Sequence, residues 1–235
     1  MDHTPFDALT RALGMGPSRR QALKLLGGSL ASGLLATLGI RSTRAKEERM
    51  HPVPPAHQAM LETFQQHLMA EVTGDIAAAL ATMTENPYVN HVPVLTGGVG
   101  RAGVRQFYQD HLVGKLFPPD VELISVSRTI GDDQLVDEVV AKFTHTQPID
   151  WMLPGVPPTC KRVEVAVVVI IKFEADKVAH EHIYWDQASV LVQIGKLDPD
   201  GLPVAGAETA RKVMDKTLPS NALMRSWATG EGKPT

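Results

Sequence analysis

Residues 161–187 read KRVEVAVVVIIKFEADKVAHEHIYWDQ. Val163 to Ile171 is a nearly unbroken β-branched run, the composition of a strand packed on its faces. Ala175-Asp176 makes a short polar break, and a second run follows from Lys177 to Gln187. Two strands joined by so short a turn pair as an antiparallel hairpin. Period 2 along the second strand puts His182, Tyr184 and Asp186 on one face, and Glu181, Ile183 and Trp185 on the other. Three polar, titratable groups in series suit dry packing poorly, since each costs free energy when buried unpaired. That face is expected either to line a pocket or to meet solvent.

Working outward, Val121 to Ile130 alternates as a strand, Gly131-Asp132-Asp133 is a turn, and Gln134 to Thr146 is a second strand. A Pro-rich loop, 147–160, leads into the quoted stretch. Upstream, His57 to Val72 carries Met60, Leu61, Phe64, Leu68 and Val72 at helical spacing, with Glu62 and Glu71 expected to face water. Gly74 breaks that helix and Asp75 can cap a second, Ile76 to Met83. Tyr88 to Leu95 reads as extended, held to a sheet edge by Pro87 and Pro93. Gly97-Gly98-Val99-Gly100 reads as a turn, and Ala102 to Leu116 as a helix. Two short helices, 189–195 and 206–216, close the chain. Helices first and a strand meander afterwards predict α+β with an antiparallel sheet.

The chain has 235 residues, 23 Lys+Arg against 26 Asp+Glu, and 43% hydrophobic residues, an ordinary globular balance. With a net charge of −3 there is no basic field for a nucleic-acid partner. Cys160 is the single cysteine, so an intrachain disulfide is excluded, and no base is evident beside it to make a nucleophile. No dinucleotide fingerprint, P-loop or nucleophile elbow occurs. At the N-terminus, Ser18-Arg19-Arg20 precedes a sixteen-residue apolar run, Leu25 to Ile40, which would span only about 24 Å as a helix. Thr43-Arg44-Ala45 supplies small residues for cleavage after Ala45. The paired arginines resemble a twin-arginine translocation motif, with Ala22 where that motif prefers Phe. Residues 1–45 are thus expected to be an export signal handled by twin-arginine machinery, giving a periplasmic or extracellular protein. Residues 46–55 then read as a linker, 56–216 as one domain and 217–235 as a frayed tail.

Several stretches carry a resemblance: Tyr88-Val-Asn-His91 with Pro93, the Gly97–Gly100 turn before Phe107-Tyr108, Trp151-x-Leu153-Pro-Gly155, and Glu181 to Gln187. With the element order, they resemble the nuclear-transport-factor-2-like (cystatin-like) superfamily, and within it the SnoaL-like polyketide cyclases. The resemblance covers roughly residues 56–216. It implies a curved sheet wrapped by N-terminal helices into a cone whose mouth holds a small apolar or carbonyl-containing molecule. Relatives of this kind use an Asp or His on the cone wall as general acid/base, and Asp186 matches that position best. Asp186 equally reads as the cap of the following helix.

His145 is in phase with Phe143 and Ala141, so it is either a pocket group or a satisfied core histidine. His91 is either a pocket group or an exposed edge residue. With Asp186 these are the candidate catalytic residues, the imidazoles polarising a substrate oxygen. Tyr88, Asn90, Tyr108, Trp151, His182 and Tyr184 are candidate ligand-facing residues, core packing being the alternative for the aromatics. Asp150-Trp151 lies in a loop able to close the mouth. His180-Glu181-His182 would need a third ligand such as His91 or His145 to hold a metal, and no metal or cofactor is expected. The function expected is cofactor-free acid/base chemistry: cyclisation or isomerisation of a carbonyl compound, or lactone or epoxide hydrolysis. The alternative is an exported small-molecule-binding protein of the same fold. A homodimer through the exposed sheet face is also expected.

Overall fold

A computed structural model describes residues 54–224, so the expected export signal, nearly all of the linker and the last residues of the tail lie outside it. Helix α1 (Pro55–Thr73) opens on proline, at a position whose N–H has no helical partner, and stops at Gly74, whose φ of 74° is left-handed. Met60, Phe64, His67 and Ala70 form its buried stripe. Asp75 caps α2 (Ile76–Ala81) by accepting the Ala78 N–H at 2.9 Å. Then follow β1 (Met83–His91), β2 (Thr96–Val99) and α3 (Gly100–Phe107), which runs into a π turn over Tyr108–Leu112. The remaining elements are β3 (Glu122–Ile130), β4 (Gln134–Thr144), β5 (Arg162–Glu174), β6 (Lys177–Trp185), α4 (Gln187–Gln193) and α5 (Glu208–Met214).

The strands make one six-stranded sheet in the order β2-β1-β6-β5-β4-β3. It is curved and unclosed, the α+β architecture the sequence predicts. Register shifts at Ser125/Ser127, Lys172/Phe173 and Met83/Tyr88 bend the strands locally. Pairing is antiparallel throughout except between β1 and β6, which run parallel. Strand β1 is therefore not an edge; Pro87 is accommodated at the Met83/Tyr88 irregularity, where no ladder N–H is required. Gly97-Gly98 is likewise not a turn but part of β2. A Cβ on Gly97 would fall 1.9 Å from the Val89 carbonyl oxygen, so only glycine lets β2 lie this close to β1.

Helices α1 and α3 cover the inner face of the sheet. Leu135, Val139, Phe143, Val163, Val165 and Ile171 are buried there. The loop after β4 closes one end, with Ile149, Trp151, Met152 and Leu153 all buried. Three hydrogen bonds fix it: Trp151 Nε1 donates to Leu116 O at 2.7 Å, Thr96 Oγ1 to Trp151 O at 2.7 Å, and Gln187 Nε2 to Met152 O at 3.1 Å.

Candidate functional site

His67 and Glu71 are one turn apart on α1, so both side chains leave the helix on the same side. Glu181 meets them from the inner face of β6, and Tyr108 from the first position of the π turn. Such turns recur at functional sites. His67 Nε2 lies 3.3 Å from Glu71 Oε1, 3.5 Å from Glu181 Oε2 and 3.3 Å from the Tyr108 hydroxyl. The ring's other nitrogen, Nδ1, is 2.7 Å from Thr82 Oγ1 and 3.3 Å from Ala79 O. Because the Thr82 hydroxyl donates to Ala79 O at 2.6 Å, its oxygen is left to accept, and Nδ1 carries a hydrogen. Nε2 therefore faces two carboxyl groups and a phenol.

The electrostatics of this cluster pull its members apart. Burial works against a charged His67, but the charges and hydrogen bonds of Glu181 and Glu71 outweigh it and raise its pKa well above the ordinary value. Burial likewise raises Glu71, yet its contacts with His67 bring the net shift below the usual carboxylate value. Glu181 goes the other way: burial, with the neighbouring Glu71 charge, raises it despite His67. Burial and the two carboxylates push Tyr108 well up, so its hydroxyl stays neutral. A base, an acid and two hydrogen-bond donors thus share one buried volume. Beside it, burial lowers His91 to about 4. His91 Nδ1 is 3.2 Å from Thr96 O and donates to it, so Nε2 is left as an acceptor, able to take a proton but not to polarise a carbonyl.

The structure gathers some of the expected residues and separates others. His91, Tyr108 and Trp151 are on the inner side, with the His91 ring 4.9 Å from that of Trp151. Tyr88, Asn90, His182 and Tyr184 stand together on the outer face, Tyr88 beside His180 and Asn90 beside His182 in the β1–β6 register. The polar side of β6 therefore does not look inward; Glu181, Ile183 and Trp185 do. The reason is the parallel β1 neighbour, whose own buried residues Val89 and His91 pair with Glu181 and Ile183. Asp186 is exposed and accepts the Ser189 N–H at 3.0 Å, the capping alternative rather than the wall position. His145 is fully buried, with Nδ1 3.2 Å from Thr159 Oγ1 and, among the described residues, no partner for Nε2. It stands ten residues along the chain from Leu135, which lies level with Ile171 and Glu181 across the strands, so it belongs to the far end of the inner face. His182 Nε2 is also buried with no partner among the described residues, its ring stacked on His180 at 4.2 Å. A surface groove of about 410 Å³ runs beside Tyr88 and His180, away from the buried cluster.

Comparison with known proteins places this geometry. The profile of the SnoaL-like polyketide cyclases matches residues 48–194, more than half of the chain. The chain belongs to that family. Among solved structures, a protein from Jannaschia sp. CCS1 described as a SnoaL-like polyketide cyclase is 17% identical with a TM-score of 0.51, covering 63% of this chain and 100% of its own. AclR from Streptomyces galilaeus, described as a hydroxylase, is 19% identical with a TM-score of 0.45, covering 60% and 88%. IdmH from Streptomyces antibioticus, described as a polyketide cyclase, is 18% identical with a TM-score of 0.45, covering 58% and 98%. At these identities the likeness concerns the fold. No curated protein matches the chain.

In this SnoaL-like chain the sequence reading misses His67, Glu71 and Glu181. The signal for the first two is present: Met60, Phe64, His67 and Glu71 follow one another at spacings of four, three and four. Extending the apolar stripe by those steps puts both polar residues on the packed side, whereas Glu71 was expected to face water. Its side chain is only 13% exposed. A third inward carboxylate, Asp137, is neutralised separately by Arg128, which donates to it at 3.0 and 2.7 Å.

Proposed function

We propose that this SnoaL-like protein is an acid/base catalyst acting on a small, largely apolar carbonyl compound. The observation that carries the reading is one buried imidazole held between two carboxyl groups whose proton affinities are shifted in opposite directions, with a neutral phenol at the same nitrogen. Environments that separate two carboxyl pKa values assign one as base and the other as acid. In this reading Glu71 removes a proton from the carbon next to the carbonyl. The charge that develops on oxygen is stabilised by the Tyr108 hydroxyl and by protonated His67. Glu181 returns a proton to a different carbon, giving isomerisation. Attack of the same enolate on a second carbonyl instead closes a ring, with Glu181 protonating the new alkoxide. Activating a water in place of the carbon acid would turn the same groups to lactone or epoxide hydrolysis. Residues 149–153 fill one end of the inner face, and in this reading substrate enters when that loop swings away. We also propose export on the Arg19-Arg20 leader; Arg19→Lys with Arg20→Lys should block appearance of the processed protein outside the cytoplasm.

The test is proton exchange in D₂O, read by NMR on a panel of β,γ-unsaturated ketones and β-keto esters. Wild type should exchange or isomerise at least one member well above buffer. His67→Gln and Glu181→Gln should each slow it at least 100-fold, and Asp186→Asn should not change it. No activity on the panel, or full activity in Glu181→Gln, overturns the reading. The tightly packed plug at residues 149–153 favours a second reading, a non-catalytic binder. It predicts a saturable thermal shift by such compounds that survives His67→Gln.

A further inference from the structure

We propose that His67, Glu71 and Glu181 also form a site for a divalent transition-metal ion, an inference that goes beyond the acid/base reading and does not depend on it. One nitrogen and two carboxylate oxygens from these residues all lie within 4.8 Å of one another. Nε2 is 3.3 and 3.5 Å from the two oxygens. Atoms coordinated tetrahedrally to an ion at about 2.1 Å stand roughly 3.4 Å apart, so those two ligand separations already suit an ion placed between them.

The outer contacts of His67 are those of a metal-binding imidazole. Its Nδ1–H is tied to Thr82 Oγ1 and lies near Ala79 O, which fixes the tautomer and aims the Nε2 lone pair at the carboxylates. The Tyr108 oxygen, 3.3 Å from Nε2, stands where a fourth ligand or a hydrogen-bond partner for a bound water would be. Charge points the same way. Two carboxylates enclosing one nitrogen require positive charge at that point, supplied by protons in the metal-free cluster. An ion displaces the His67 Nε2 proton and that of Glu181, so binding releases protons. One imidazole with two carboxylates suits Zn²⁺, Mn²⁺ or Fe²⁺. Glu71, the least buried of the three, gives the ion its approach. The other imidazole pair, His180 and His182, is stacked with its planes 15° apart, so the two rings lie face to face and do not converge on one point.

The experiment is calorimetric titration of the chelator-stripped full chain with Zn²⁺ or Mn²⁺ alone, in two buffers of different ionisation heat. One equivalent should bind with release of at least one proton, and affinity should fall at least tenfold from pH 7 to pH 5. His67→Gln and Glu181→Gln should each weaken binding at least 100-fold, while a His180→Asn, His182→Asn double variant should bind like wild type. Anomalous density bonded to His67 Nε2 in metal-soaked wild-type crystals would establish the site without any variant. Absence of saturable binding, or binding abolished by the His180, His182 variant and kept by His67→Gln, overturns the proposal. Proton exchange by the stripped protein reports separately on the acid/base reading, so either result can fail without the other.

Discussion

Replacing His91 by glutamine is expected to flatten the acid side of the stability profile. The His91 ring lies among Phe107, Trp151 and Trp185, with centroids 5.5, 4.9 and 6.2 Å away, and donates from Nδ1 to Thr96 O. Burial there lowers its pKa to about 4, against about 6.5 in the unfolded chain. A depressed histidine is neutral in the folded protein while the unfolded chain takes up a proton below about pH 6.5. Its contribution is therefore complete above that pH and is lost as the pH falls towards 4. The separation of about 2.5 pH units corresponds to roughly 3.4 kcal/mol in the limit, of which about 2 is lost by pH 5 and about 3 by pH 4. This is a large share of a typical domain stability. His145 and His180, also lowered by burial, steepen the wild-type curve but are common to both proteins. Glutamine keeps an amide donor for Thr96 O and cannot titrate, so its packing loss is independent of pH. Urea unfolding at pH 7, 6, 5 and 4.5 measures the gap between wild type and variant. That gap should shrink by about 2 kcal/mol between pH 7 and pH 5. A constant gap would refute the claim that His91 is buried in its neutral form.

Asp186→Ala should cost about 1 kcal/mol through the lost cap of α4, read from the urea midpoint, and leave proton exchange unchanged. Gly97→Ala should destabilise by at least about 3 kcal/mol, since its Cβ would meet the Val89 carbonyl; near-normal thermal unfolding would contradict the packing of β2 on β1. Trp151→Ala should cost about 3–5 kcal/mol and raise the fluorescence of an apolar dye, because the side chain plugs the end of the inner face. Arg128→Ala should cost about 3–5 kcal/mol by leaving Asp137 buried without its partner, whereas changing Arg128 and Asp137 together to apolar residues should recover much of that loss.

Element type was largely legible in the sequence because period and turn chemistry are local. The hairpin from Val163 to Trp185, the Asp75 cap and the α1 stripe need only neighbours a few residues away. The parallel β1–β6 pairing is not local: it joins residues nearly a hundred positions apart, and no turn signal marks it. That single missing fact also decides between the two readings of the polar face of β6. Alternation correctly separates His182 and Tyr184 from Glu181 and Ile183, but which set turns inward depends on the neighbour strand and the covering helix. Trp185 and Ile183 were the better guide, since two large apolar side chains on one face outweigh one glutamate that finds a partner. Asp186 reads as a wall residue only if the strand includes it, and β6 ends one residue earlier, at Trp185. The burial of His67 is legible from the stripe it sits on, but its role is not, because Glu181 and Tyr108 come from β6 and the π turn, far along the chain.

The pairing of β1 with β6 has a consequence for synthesis. The edge of β1 that takes β6 faces no partner until residues 178–183 have been made, almost ninety residues after His91. At ordinary elongation rates that is a wait of roughly 5–20 s, during which α1 and the first two strands have no inner sheet to close against. Any chain cut short before Val178 would carry His67 and Glu71 without their β6 partner, Glu181. The buried cluster is therefore completed only when β6 arrives, late in synthesis.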